Sequence, residues 1–290
     1  MPILQGKYKY SISEVNTMTR YRLIGFDMDG TILNSKKQIS PATLEAVKKA
    51  VQTGFHVILS TGRGISELAD YREILSPVRY YVCESGALVY DSRENRILHS
   101  ETLPEKALEE IFALTAPLDA MPYLMSCGES YASPEDIKNS SHFHMGTYQE
   151  MMERITRKVD SVAEFYIKTK APVEKLNLYS ATPQIREEIY SAIQHLPVTA
   201  AFAETTSLEL SPAGISKASG LTWLCSYLGL SQEQTIIVGD ADNDIEAMKA
   251  AGLSVAMGNA REHIKAICDV TVSDNDHDGC AQAIYEYLMH

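Results

Sequence analysis

Two short acidic segments, far apart in the chain, constrain its fold and chemistry most. The first is "IGFDMDGTIL" (24–33). An apolar run there ends on Asp27, and a second carboxylate, Asp29, follows before Gly30 and Thr31. The second is "GDADND" (239–244), which closes another apolar run, "TIIV". Acids this crowded repel one another unless cations or hydrogen-bond donors compensate. The two segments therefore raise the question of what they hold, and whether the fold brings them together.

The flanking pattern answers for the fold. "YRLIGF" (21–26) and "FHVILST" (55–61) read as short buried strands. Between them "SPATLEAVKKAVQTG" (40–54) reads as a helix, capped by Ser40, with Pro41 at its first position and Gly54 at its end. Strand, helix and strand of these lengths imply a right-handed parallel crossover. The rhythm returns late: helix in "SKASGLTWLCSYLG" (216–229), strand in "QTIIVGD" (234–240), helix in "NDIEAMKAAG" (243–252). A strand "LSVAMGN" (253–259), a helix "AREHIKAIC" (260–268) and a strand "DVTV" (269–272) follow. The expected class is α/β, a doubly wound parallel sheet built from both ends of the chain.

The middle differs. Helical segments such as "PEKALEEIFALT" alternate with short strands such as "VEKLNLYS". It reads as an inserted α+β cap. The expected division is an extension at 1–18, a core at 19–102 and 204–290, and a cap at 103–203. Met18 reads as an alternative start, and the extension carries no catalytic role.

The 290 residues carry a formal net charge of −12 and no basic block. That argues against a nucleic-acid partner or an anionic membrane surface. No run is long and apolar enough to span a bilayer. Five scattered cysteines (Cys83, Cys127, Cys225, Cys268, Cys280) show no CxxC spacing. They read as reduced thiols of a cytoplasmic protein.

In a doubly wound sheet, ligands bind beyond the carboxyl ends of the strands. Three strand ends carry suitable groups: Asp27 and Asp29; Thr61, Gly62 and Arg63; Asp240, Asn243 and Asp244. Oxygen-only ligands suit a hard cation such as Mg²⁺, which takes one or two carboxylates and leaves room for phosphate oxygens. Asp27 and Asp240 are the candidate direct ligands, with Asp244 supporting them. Asp27 is also a candidate nucleophile. Asp29 would protonate a leaving oxygen and later activate water, which calls for a raised pKa; crowding with other carboxylates is one way to raise it. Thr61 offers a hydroxyl and a backbone amide to a phosphoryl group, Gly62 a close backbone approach, and Lys217, at a helix start, a point charge.

These stations in this order resemble the haloacid dehalogenase superfamily. "DMDGT" resembles its first motif, Thr61 its second, Lys217 its third and "GDADND" its fourth. "LSTGR", the mid-chain insert, "LELSPAGISKASGL" and "VAMGNA" look like its Cof-type, sugar-phosphatase-like branch. The resemblance implies that Asp27 attacks phosphorus and that Asp29 is the general acid/base. It implies Mg²⁺ held by Asp27, the Asp29 carbonyl and Asp240, with Asp244 in support. Thr61, Gly62, Lys217 and Asn243 would lie on the phosphate side. One departure is visible: "ESGA" places Ser85 where relatives often carry Asn.

The expected function is a Mg²⁺-dependent phosphatase acting on a small phosphorylated metabolite, such as a sugar phosphate, through an aspartyl-phosphate. A phosphomutase of the same superfamily is the rival enzyme, and a phosphorylatable receiver the rival of another class. A monomer or weak dimer is expected. In the cap, His142 and His144 lack a third metal ligand and read as a solvated or substrate-facing loop. Lys175, Tyr123 and Tyr131 face either the site or their own surroundings. Arg63 touches substrate or forms an ion pair at the hinge.

Overall fold

The computed structural model describes residues 20–290, so the expected extension and the alternative start at Met18 lie outside the described residues. The chain builds two sheets. Its first strands are β1 (Leu23–Phe26), β2 (His56–Ser60), β3 (Tyr80–Cys83), β4 (Leu88–Asp91) and β5 (Arg96–Ser100). The middle of the chain gives β6 (Ala120–Ser126), β7 (Glu129–Ala132), β8 (Arg157–Lys158), β9 (Lys175–Ser180), β10 (Val198–Phe202) and β11 (Ser207–Pro212). The last are β12 (Thr235–Gly239), β13 (Leu253–Ala256) and β14 (Val270–Thr271).

The first sheet has the order β14-β13-β12-β1-β2-β3-β4-β5. Pairing is parallel from β14 to β3 and antiparallel through β4 and β5. The class is the expected α/β. β1 sits between β12 and β2, where strand order reverses, and the crevice beyond such a reversal is where α/β sheets bind ligands. Every residue of β1 is buried. Ile24 and Phe26 pack on one face with Val47 and Leu59, and Leu23 packs on the other with Ile58 and Ile237. That alternation follows from the two-residue period of a strand.

The helix Pro41–Gln52 begins as the sequence implies: the Ser40 side chain accepts from the Thr43 amide. Elsewhere the elements depart from expectation. "AREHIKAIC" yields only a helical turn at Glu262–Lys265, and "NDIEAMKAAG" opens as a 3-10 turn before Ile245–Ala250. The β4–β5 hairpin and the helical stretch Gly279–Leu288 carried no expectation. The latter buries Ile284 and Leu288 in the same cluster as Val47.

The second sheet has the order β10-β11-β9-β6-β7-β8. Here one expected boundary is corrected. The expected return to the first sheet is at 204, yet β11 pairs with β10 and β9 inside the second sheet. The reason is packing: Leu208 and Leu210 complete the apolar cluster of Leu176 and Leu178. Among the described residues, no helix is long and apolar enough to cross a membrane.

Candidate active site

The three suspected strand ends do meet. Asp27 follows β1, Thr61 follows β2 and Asp240 follows β12. Lys217 reaches them from the first turn of the helix Lys217–Leu228, whose backbone runs beside Gly86. Asp27 is 6% exposed and Lys217 is 1% exposed. Lys217 Nζ donates to Asp27 Oδ1 at 2.7 Å and to Asp244 Oδ1 at 2.6 Å. Asp244 also accepts from the Asp240 and Ala241 amides, both at 3.1 Å, so it caps its turn as well as holding the lysine. Asp240 accepts from the Thr31 hydroxyl at 2.8 Å. Gly30 has φ +79°, and a Cβ there would run into the Asp240 carboxylate. That close approach is what the glycine of "DMDGT" permits.

Asp27, Asp240 and Asp244 each offer an oxygen, and these oxygens lie within 4.8 Å of one another. Three carboxylates therefore face one ammonium. Burial, with the charge of Asp244 adding, pushes Asp27 up to about 7 against the pull of Lys217. Burial likewise lifts Asp240 to about 6, against the Thr31 hydrogen bond. Burial alone would lower Lys217, yet Asp244 and Asp27 hold it above its ordinary range, so the lysine stays charged. The cluster is short of positive charge, and its donors are all oxygen. A hard divalent cation fits this set.

Asp29 departs from expectation. Crowding with acids predicts a raised pKa. Instead Arg63 grips its carboxylate with Nε at 2.7 Å and Nη2 at 2.8 Å, and Lys37 Nζ donates at 2.6 Å. Burial works to raise Asp29, but the hydrogen bonds and charges of Arg63 and Lys37 win and hold it at about 2. The physical reason is orientation: this carboxylate turns away from the other acids toward two cations. Arg63 thus forms an ion pair at the site, one of the two roles open to it. Lys37 carried no sequence signal at all.

Thr61 is 1% exposed and its amide donates to the Val82 carbonyl at 2.8 Å, extending the ladder. That amide is spent, and the hydroxyl remains, accepting from the Arg63 amide at 3.2 Å. Asn243 lies exposed on its turn. Ser85 takes a place of its own: its amide donates to the Thr61 carbonyl at 3.1 Å, and its hydroxyl accepts from Lys175 Nζ at 3.2 Å. Lys175 is 1% exposed and also donates to the Gly62 carbonyl at 2.9 Å. It faces the loop that follows β2 rather than solvent.

The segment Glu84, Ser85, Gly86 has φ of 53°, 57° and 101°, a left-handed run that two of these residues adopt at a cost. Glu84 is fully buried and neither carboxylate oxygen has a partner among the described residues. Burial, with Glu174 adding, pushes its pKa well above the ordinary value. The folded state therefore keeps a proton that the unfolded chain loses near pH 4.3. Stability from this group falls as pH rises above that point, by up to about 1.4 kcal/mol per pH unit. Glu84→Gln removes the penalty. In urea unfolding the variant should exceed the parent in stability at pH 7.5, with the gap closing toward pH 4.5. An equal gap at both values would refute the assignment.

The cap residues separate clearly. His142 meets Asp119 at 2.8 Å and His144 meets the Ala181 carbonyl at 3.1 Å, both exposed and bound to different partners. Tyr123 is buried beside Thr156, and Tyr131 stacks on Phe165. Tyr148, missed in the sequence, lies close enough to Asp29, Lys37 and Arg63 to feel their charges. Asn259, in "VAMGNA", donates to the Gly30 carbonyl at 2.8 Å and ties a late loop to the first motif.

A family model described as haloacid dehalogenase-like hydrolase matches residues 24–284. Among curated relatives, an Arabidopsis thaliana protein named "Endoribonuclease YBEY, chloroplastic" is 30% identical over 93% of this chain, which spans only 47% of that protein's length. Pyridoxal phosphate phosphatase YbhA of Escherichia coli is 28% identical over 92% of this chain and 99% of its own. A solved haloacid dehalogenase-like hydrolase from Bacteroides thetaiotaomicron superposes with a TM-score of 0.78 at 25% identity, covering 92% of this chain and 99% of its own.

Proposed function

The chain belongs to the haloacid dehalogenase-like hydrolase family, and on that premise we propose that it is a Mg²⁺-dependent phosphatase of a small phosphorylated metabolite, working through a phosphoryl-Asp27 intermediate. The observation that carries this reading is the buried meeting of Asp27, Asp240 and Asp244 around Lys217 at a strand-order reversal. The relative from E. coli, matched over nearly its full length, is named for dephosphorylating pyridoxal phosphate, a small monoester.

In this reading Asp27, Asp240 and the Asp29 carbonyl would hold the cation, with Asp244 fixing the turn beside it. The chemistry a Mg²⁺ there would supply is neutralisation of charge on the phosphoryl oxygens and on the surrounding carboxylates. Lys217 keeps Asp27 oriented, and the Thr61 hydroxyl and Gly62 amide receive the phosphoryl group. An Asp27 oxygen bonds to phosphorus as the bond to the leaving oxygen breaks, and Asp29 gives that oxygen its proton. Asp29 then takes a proton from the water that attacks phosphorus, and the bond to Asp27 breaks. For Asp29 to carry a proton, Arg63 and Lys37 must release it, which substrate entry would bring about by competing for them. The second sheet serves as a cap that excludes bulk water during these steps.

The test is phosphate release from a panel of phosphate monoesters, with and without EDTA. Turnover should fall to background in EDTA and return with Mg²⁺. Release that continues undiminished in EDTA would defeat the metal requirement, and no release from any ester would defeat the phosphatase.

A further inference from the structure

A cavity of about 670 Å³ opens at the junction of the two sheets. On the first-sheet side its walls are Ile65, Ala69 and Arg72, in and beside the 3-10 turn Ser66–Tyr71, with Tyr90 on β4 and Ile97 on β5. On the cap side they are Cys127 and Gly128, in the β6–β7 turn, and Arg154 and Ile155, at the end of the helix Gln149–Ile155. None of Asp27, Asp29, Thr61, Lys217 and Asp240 lines it. The two sides are joined directly: the Ser66 amide donates to the Gly128 carbonyl at 3.1 Å. Small-molecule pockets span about 300–1,000 Å³ and favour such junctions.

The charges around this cavity do not balance. Asp70 and Arg154 form an ion pair across the junction. Glu129 pairs with Arg157 at 3.0 Å. Arg72 has no carboxylate partner among the described residues, in a chain whose formal net charge is −12. The cavity therefore offers a guanidinium to an anion.

The shape says which anion. A pouch of about 50 Å³ adjoins the cavity, lined by Arg72, Tyr81, Tyr90, Ser92 and Asn95. Arg72 and Tyr90 border both spaces. Arg72 stands close enough to the Tyr81 and Tyr90 phenols for its charge to act on both. About 10–15 Å³ of such space admits one water, so the pouch takes only a small group. That suits a carboxylate better than a phosphate, and a guanidinium holds a carboxylate through two parallel hydrogen bonds. Ile65, Ile97 and Ile155, all half-buried, supply apolar wall beside it.

We propose that this cavity is a second ligand site and that it takes an apolar monocarboxylate, with the carboxylate on Arg72 and the apolar chain along Ile65, Ile97 and Ile155. Apolar surface leaving water supplies the affinity, and Arg72 supplies the selection for negative charge. Such a ligand touches β5 and the cap helix together, so it ties the cap to the first sheet. The site is separate from the phosphatase reading, and its test needs no turnover.

Cys127 lines the cavity and is exposed, whereas Cys83, Cys225 and Cys280 are buried and Cys268 is half-buried. Its thiol therefore reports occupancy. The experiment titrates octanoate, octanamide and acetate into the parent, Arg72→Gln and Ala69→Trp by calorimetry, and follows alkylation of Cys127 by iodoacetamide with peptide mass spectrometry. Octanoate should bind the parent with a Kd of about 1 mM or tighter, and at saturation should slow Cys127 alkylation about threefold or more. Octanamide lacks the charge and acetate lacks the chain, so each should bind about tenfold more weakly. Arg72→Gln removes the cation and Ala69→Trp narrows the cavity; each should weaken octanoate about tenfold or more. Both side chains are exposed, so melting midpoints should match the parent's. Inorganic phosphate with Mg²⁺ should leave octanoate binding unchanged. Absence of binding in the millimolar range, octanoate affinity unchanged in either variant, unslowed alkylation of Cys127, or displacement by phosphate overturns the site.

Discussion

Asp27→Asn will lower phosphate release by about 10⁴-fold or more, the scale on which covalent nucleophiles are lost. The change keeps the size of the side chain, and Lys217 keeps its bond to Asp244 at 2.6 Å. The amide still sits at the tip of β1 but no longer offers a carboxylate to phosphorus. The fold should not suffer. Three carboxylates face one lysine in this pocket, and removing one of them relieves repulsion. Thermal melting in EDTA should therefore give a midpoint equal to or above the parent's. Phosphate release near the parental rate in a folded variant would remove Asp27 from the nucleophile's role.

Lys217→Met tests the other half of the same cluster. The lysine is 1% exposed and bridges Asp27 and Asp244, so its loss strands two buried acids. Breaking a buried pair by removing one partner costs about 3–5 kcal/mol. In a chain of this size that is roughly a 10 °C fall in melting temperature. Activity should fall with it, since the Lys217 ammonium holds an Asp27 oxygen at 2.7 Å. Mg²⁺ should raise the variant's melting temperature more than the parent's, because a cation then replaces the lost ammonium. An unchanged melting temperature without metal would mean that the acids are compensated elsewhere. An equal Mg²⁺ effect in both proteins would mean that the cation does not lie among these carboxylates.

Much of the candidate site is legible in the sequence because its signals are local. Apolar runs ending on Asp27, Thr61 and Asp240 mark strand tips, and a helix-start pattern sets Lys217. Gly30 is legible too, since only a glycine tolerates both φ +79° and the Asp240 carboxylate beside it. Asp29 shows where local reading stops. Its place in the chain is plain, but its charge state depends on Arg63 and Lys37, and Lys37 sits in an ordinary polar turn. The cap boundary failed for a similar reason. "SLELSP" leads straight into the Lys217 helix along the chain, while its leucines belong to the apolar cluster of β9.

The sequence by itself determined the α/β class, the three strand tips and the acids they carry, because strand period, caps and glycine turns act over a few residues. Only the tertiary structure decided which cations hold Asp29 and that Lys175 is buried against the Gly62 carbonyl. Those partners are separated by 34 residues for Arg63 and Asp29 and by 113 for Lys175 and Gly62. The Arg63–Asp29 pair depends on the side-by-side pairing of β1 and β2, and the Lys175–Gly62 contact on how the two sheets dock; both are set by long-range packing rather than by any short pattern.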